Sequence, residues 1–125
     1  EALNMALRGL PGRIVTLATE HAAVLDTAMW LRDEGREVEV LPVGADGLVD
    51  LDRLKAALRT PTGLVAAMLV NNEIGVVQPV AEIAALAHDA GALMLCDAVQ
   101  GYGRLALPSG PDLVAICAHK IHGPK

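Results

Sequence analysis

The sequence predicts an α/β fold, a mostly parallel β-sheet covered by helices on both faces, in three α/β/α layers. Apolar runs of strand length recur along the 125 residues, and segments with helical periodicity lie between most of them. Runs such as LVAAMLV and ALMLC are continuously apolar, as expected of strands that are buried on both faces. Strands that alternate with helices are typical of a parallel sheet.

Five apolar runs account for the predicted strands. They cover residues 14–18, 38–43, 64–70, 92–96 and 113–117. Each has the length of a strand.

Three apolar stripes with helical spacing predict helices. Their apolar positions are Val24, Leu25, Ala28 and Leu31 in the first, Leu51, Leu54 and Leu58 in the second, and Val80, Ile83 and Ala87 in the third. Asp50 is placed to cap the second helix. Pro79 suits the first position of the third, and Gly91 suits its end.

Composition argues against several classes of protein. A net charge of −5 with scattered arginines does not suit nucleic acid, which requires a basic face. No run approaches the roughly 20 apolar residues of a membrane span. Cys96 and Cys117 both lie in strand-like runs, so we expect reduced core cysteines of a cytosolic protein rather than a disulfide.

The extent of the chain suggests part of a larger protein. It opens at Glu1 within a pattern and stops just after a Gly-Pro pair. We expect residues 1–125 to form a single partial domain, with no internal boundary or repeat.

Polar residues follow four of the predicted strands. They are Glu20 and His21, then NNEIG (71–75), DAVQ (97–100) and AHK (118–120). Because ligands of parallel sheets bind beyond the carboxyl ends of strands, we expect these residues to meet at one edge.

This set of residues suits a pyridoxal phosphate site. Lys120 follows a buried strand, where loss of hydration lowers the pKa of an amine and favours Schiff-base chemistry. Asp97 could hold the ring nitrogen of the cofactor in its protonated form. Gln100 could reach the phenolic oxygen, and His21 could stack on the ring.

Four segments closely resemble those of cysteine desulfurases, pyridoxal phosphate enzymes of the class V aminotransferase family with fold type I architecture. They are EHAAVLDTAMWLRDEG, LVNNEIGVVQPVAEIA, CDAVQGYGRL and AHKIHGPK. The resemblance runs from EALNMALRG to the last residue. It implies that the chain is the central part of the large domain, without the preceding phosphate loop and the C-terminal domain.

The resemblance also implies a role for each matching position. His21 corresponds to the ring-stacking histidine and acid/base, and Asn72 to the asparagine near the ring oxygen and the substrate carboxylate. Asp97 corresponds to the partner of the ring nitrogen and Gln100 to the partner of the phenolic oxygen. His119 corresponds to a phosphate contact and Lys120 to the Schiff-base lysine. Cys117 stands where the family usually has a phosphate-binding serine or threonine, and a thiol is a weaker donor.

The implied reaction removes sulfur from L-cysteine, giving L-alanine and a persulfide on an enzyme cysteine that lies after Lys125. The resemblance further implies sulfur-acceptor or scaffold proteins as partners, iron–sulfur cluster assembly, a homodimer and a cytoplasmic location, without nucleic acid or membrane. A selenocysteine lyase, another class V enzyme and a non-catalytic fragment lacking cofactor are the alternatives.

A metal site is the other interpretation of the C-terminal segment. Cys117, His119 and His122 form a C-x-H-x-x-H pattern that could suggest zinc. The sequence holds no second group of ligands spaced to complete a closed site, and Lys120 would repel a cation. We therefore expect no metal.

Overall fold

The computed structural model describes residues 2–18, 20, 22–69, 76–98 and 110–115. Within these residues, five strands form one parallel sheet in the order β2-β1-β3-β4-β5. The strands are β1 (Ile14–Leu17), β2 (Val38–Leu41), β3 (Leu64–Met68), β4 (Leu93–Asp97) and β5 (Leu113–Ala115). All five predicted strands are confirmed.

Four helices accompany the sheet in the described part of the chain. They are α1 (Ala2–Gly9), α2 (Ala22–Asp33), α3 (Leu51–Ala57) and α4 (Val80–Asp89). The three predicted helices are confirmed, and α1 is an additional one. Asp50 caps α3 as predicted, since its side chain accepts hydrogen bonds from the backbone N–H groups of Asp52 and Arg53.

The ends of α4 differ slightly from the prediction. Pro79 is the N-cap residue rather than the first helical residue. Gly91 ends the helix as expected, with a φ of 79°. The N–H of Ala92 then bonds to the carbonyl of Ala87 at 2.8 Å, as at many glycine-terminated helices.

The sheet separates two apolar clusters, which confirms the three layers. Alternate strand residues contribute to opposite faces, as the period of a strand requires. Ile14, Leu64 and Leu95 pack with Leu7 of α1 and with Val24, Ala28 and Leu31 of α2. Val15, Val65 and Met94 pack with Leu54 and Leu58 of the α3 segment and with Ile83 and Ala87 of α4.

A buried arginine lies at the edge where the strands begin. Arg13 is 8% exposed, and its side chain binds Glu37 at 3.0 Å, Glu39, and Thr62 at 3.0 Å. It also donates to the carbonyl of Ala57 at 3.0 Å. Because these contacts join β2 to the end of α3, the arginine stabilises the fold at this edge, opposite the carboxyl ends of the strands.

No helix among the described residues is long and apolar enough to cross a membrane.

Candidate active site

The candidate site lies at the carboxyl edge of the sheet, defined by the last residues of β1, β3 and β4: Leu17, Met68 and Asp97. Met68 and Asp97 are register partners, and Asp97 also pairs with Ala115 of β5. The N–H of Leu69 bonds to the carbonyl of Asp97 at 2.8 Å, so β3 remains tied to β4 beyond its last residue. This is the edge at which parallel sheets bind ligands.

Asp97 is the predicted site residue that the structure describes. It is 4% exposed and is the last residue of β4. The strand therefore ends one residue later than the predicted run 92–96. A backbone that is fixed by pairing on both sides holds this carboxyl group in place. A buried carboxylate at a strand end is the partner that a cationic ring nitrogen requires, so the described part of the site fits pyridoxal phosphate.

The other predicted site residues are His21, Asn72, Gln100, Cys117, His119 and Lys120, and all of them lie outside the described residues. The zinc-like pattern in the C-terminal segment lies outside them too. Across the described ranges, no group of three or more histidine, cysteine or acidic side chains could hold a metal ion.

Glu20 is a second buried carboxyl group at this edge. It is 6% exposed, and its Oε2 accepts a hydrogen bond from the N–H of Met68 at 2.8 Å. Burial raises the pKa of Glu20 from 4.5 to about 8; the Met68 N–H lowers it and the charge of Asp97 raises it further.

Sequence reasoning assigned no role to Glu20, although it noted the Glu-His pair. The available signal was a carboxyl group three positions after the last residue of a buried strand, at the edge where Asp97 was expected. Its depth of burial depends on how β1, β3 and β4 assemble.

Cys96 is a buried, free cysteine beside these two carboxyl groups. It is fully buried in β4, which confirms the predicted core position. Burial raises the pKa of its thiol to about 12, and the electrostatic interactions with Asp97 and then Glu20 act in the same direction. The thiol therefore stays protonated and is a poor nucleophile at neutral pH.

A surface groove lies away from this edge. It has a volume of about 270 Å³ between α3 and α4, and its rim carries the exposed side chains of Lys55, Arg59 and Asp89. Such charged residues are ordinary on an outer helical face. The buried carboxyl groups at the carboxyl edge are the stronger functional signal.

Comparison with known proteins establishes the family. The family model described as aminotransferase class-V matches residues 1–125. The chain belongs to the class-V aminotransferase family. The resemblance of its motifs to that family is thereby confirmed.

Two curated relatives carry the name cysteine desulfurase. The chain is 44% identical over 135 residues to the mitochondrial cysteine desulfurase of Candida albicans, with 100% of this chain and 28% of the relative covered. It is 39% identical over 136 residues to cysteine desulfurase IscS of Dechloromonas aromatica, with 100% and 34% covered. The chain thus spans about a third of the length of these relatives.

A solved structure described as SspA in complex with cysteine has a similar fold. It superposes with a TM-score of 0.85 at 32% identity, over 91% of this chain and 34% of that chain. The predicted α/β/α architecture of fold type I is confirmed by the all-parallel sheet and by the NifS-like protein of Rickettsia africae. That structure superposes with a TM-score of 0.84 at 31% identity, over 95% of this chain and 34% of that chain.

Proposed function

We propose that the full-length protein carrying this chain is a pyridoxal phosphate-dependent cysteine desulfurase. The observation that carries the proposal is the buried carboxyl group of Asp97 at the end of β4, in a chain that the class-V aminotransferase model matches over residues 1–125. The names of the two curated relatives and the cysteine complex of the solved structure support cysteine as the substrate.

Asp97 would hold a proton on the ring nitrogen of the cofactor. When bound, pyridoxal phosphate withdraws electrons from the substrate carbon, and it does so best with that nitrogen protonated. A carboxylate fixed between two strands provides this charge without reorganisation during the reaction. An amide at the same place would have no negative charge with which to retain the proton.

The remaining roles stay with the residues that match the family's motifs. Lys120 would bind the cofactor covalently through its amine, and His21 would stack on the ring and move a proton. Contacts with the ring oxygens and the phosphate would come from Asn72, Gln100, Cys117 and His119.

The sulfur would pass to a cysteine outside this chain. The carbon–sulfur bond of L-cysteine breaks, the sulfur bonds to the acceptor thiol to give a persulfide, and L-alanine leaves with the proton that replaces the sulfur. Cys96 is unsuited to accept it, because its thiol is buried and its pKa is raised to about 12.

The chain would form the central part of the large domain, with residues 1–125 as one partial domain. We further propose that the full-length protein is a homodimer. It would transfer sulfur to acceptor or scaffold proteins and take part in iron–sulfur cluster assembly. We place the protein in the cytoplasm. Since the Candida albicans relative is named mitochondrial, cell fractionation is the measurement that decides the compartment.

The test is an assay of the full-length protein with pyridoxal phosphate and L-cysteine. We expect more alanine than enzyme, together with a persulfide on a cysteine other than Cys96. Borohydride reduction of the loaded protein, followed by peptide mapping, should label Lys120. Absence of alanine would contradict the proposed activity, and a label on another lysine would contradict the role of Lys120. The same assay with selenocysteine tests the lyase alternative, which would be favoured by faster turnover of selenocysteine than of L-cysteine.

A further inference from the structure

We infer that Glu20 is a positioning residue of this site: its neutral carboxyl group joins the end of β1 to β3 beside Asp97, and its second oxygen carries a proton that is available for donation to the site. The inference rests on the proposed function for its catalytic consequence. Its structural part depends only on the described residues.

The first observation is the incomplete pairing of the Glu20 side chain. Oε2 accepts the Met68 N–H at 2.8 Å, whereas Oε1 is buried and has no hydrogen-bond partner within the described part of the chain. A buried polar atom without a partner is costly, and such atoms are rare in folded proteins.

The buried amide of Gln78 provides a contrast. Gln78 is 3% exposed, and its Oε1 accepts from the Val49 N–H at 3.0 Å while its Nε2 donates to the Gly47 carbonyl at 2.8 Å. Both polar atoms of Gln78 are thus hydrogen-bonded and hold a loop. Only one oxygen of Glu20 is hydrogen-bonded, so the other is available to the site.

The second observation concerns the charge. Glu20 approaches Met68, and Met68 is the register partner of Asp97, so two carboxyl groups converge on the end of β3. Two buried carboxyl groups that interact do not both ionise readily, because desolvation and mutual repulsion favour a proton on one of them. The protonated form falls to Glu20, whose pKa is raised by burial and by Asp97.

A neutral carboxylic acid can act in a way that a carboxylate cannot. Its O–H is a hydrogen-bond donor, while its other oxygen remains the acceptor for the Met68 N–H. Glu20 in this form adds no second negative charge beside Asp97, which leaves Asp97 to hold the proton of the cofactor ring. It also fixes the backbone directly before His21.

Infrared spectroscopy of the full-length protein without cofactor tests the protonation. We compare the unaltered protein with Glu20→Gln and with Glu82→Gln, a matched change on the exposed face of α4. At neutral pH, the carbonyl stretch of a protonated carboxylic acid should be present in the unaltered protein and in Glu82→Gln, and should lose intensity in Glu20→Gln. Equal intensity in all three would overturn the inference.

Turnover of the loaded enzyme tests the positioning. Glu20→Gln keeps the neutral charge and the polar atoms, so we expect its kcat to stay within about threefold of the unaltered enzyme. Glu20→Ala should lower kcat by about tenfold or more with little change in KM. If Glu20→Gln loses as much as Glu20→Ala while circular dichroism shows both folded, the neutral role is wrong. It is equally wrong if Glu20→Ala is fully active. An unaltered protein that forms no alanine defeats the proposed function, whereas the infrared result still decides the state of Glu20.

Discussion

The backbone N–H of Met68 donates a 2.8 Å hydrogen bond to the buried carboxyl group of Glu20 and so joins the ends of β1 and β3. The same carboxyl group has a pKa raised from 4.5 to about 8, chiefly by burial. Folding therefore favours the protonated form of Glu20, and the stability of the protein is linked to pH through this residue.

Stability should fall as pH rises across the range from 4.5 to about 8. Below 4.5 Glu20 is protonated in the folded and unfolded states, whereas within this range the folded state retains a proton that the unfolded state has lost. One such proton lowers the free energy of unfolding by up to about 1.4 kcal/mol per pH unit. Urea unfolding of the unaltered protein and of Glu20→Gln measures the difference.

In that comparison, Glu20→Gln should show a flatter pH dependence, and Glu82→Gln should follow the unaltered protein. The neighbouring titratable groups, Asp97 and Cys96 of β4, are the same in all three proteins. Parallel curves for the unaltered protein and Glu20→Gln would show that Glu20 does not retain a proton on folding.

Gly63→Ala should destabilise the fold. A Cβ at Gly63 would overlap the carbonyl oxygen of Pro11 and lie 3.0 Å from the Cα of Gly12, so the segments leading into β1 and β3 would have to separate. We expect a loss of about 1–3 kcal/mol in the free energy of unfolding, as for other overpacked sites.

Gly9→Ala is the control for this substitution, because no atom lies within 4 Å of a Cβ at Gly9. Its effect should stay below about 1 kcal/mol. Equal losses in the two variants, measured by urea unfolding, would show that the close approach of Gly63 to Pro11 does not matter.

Cys96 should be unreactive in the folded protein. Its thiol is fully buried with a pKa raised to about 12, so iodoacetamide should modify it at least about 100-fold more slowly in the native protein than in urea. Peptide mapping follows the label, and the unfolded protein is the internal control. Similar rates in both states would contradict this burial.

Cys96→Ala should also retain desulfurase turnover, and loss of turnover in this variant would implicate Cys96 as the sulfur acceptor.

The strands could be predicted because they read as apolar runs. Strands β1 and β3 are buried along their whole length, whereas Leu113 and Val114 of the edge strand β5 are apolar but exposed. The ends of the strands were less certain. Strand β2 stops at Leu41, before Pro42, which has no N–H for the ladder. Strand β4 extends to Asp97 because pairing with Met68 and Ala115 continues past the last apolar residue. Such pairing depends on neighbours that are distant in sequence.

Helix α1 could not be predicted from its own residues. It has eight residues, which is short for a helix that must be stable alone. Packing supplies the missing stability: Leu7 is fully buried against α2, and the guanidinium of Arg8 lies 4.6 Å from the ring centre of Trp30.

The sequence predicts the edge at which the candidate site should lie, but it predicts the chemistry there only in part. A parallel sheet brings its strand ends together, so the polar residues that follow apolar runs identify the edge. The state of Glu20 depends on burial among three strands and on the nearby charge of Asp97. Neither can be read from a Glu-His pair.

Asp97→Asn in the full-length protein is the most direct test of the account, because it keeps the shape of the side chain and removes its charge. Alanine formation from L-cysteine is measured with saturating pyridoxal phosphate, and Asp26→Asn on the exposed side of α2 is the matched control. We predict that Asp97→Asn lowers kcat by roughly 100-fold or more while the variant still binds cofactor, and that Asp26→Asn is unaffected. Turnover of Asp97→Asn close to that of the unaltered enzyme would contradict the role of Asp97 and, with it, the placement of the active site at this edge of the sheet.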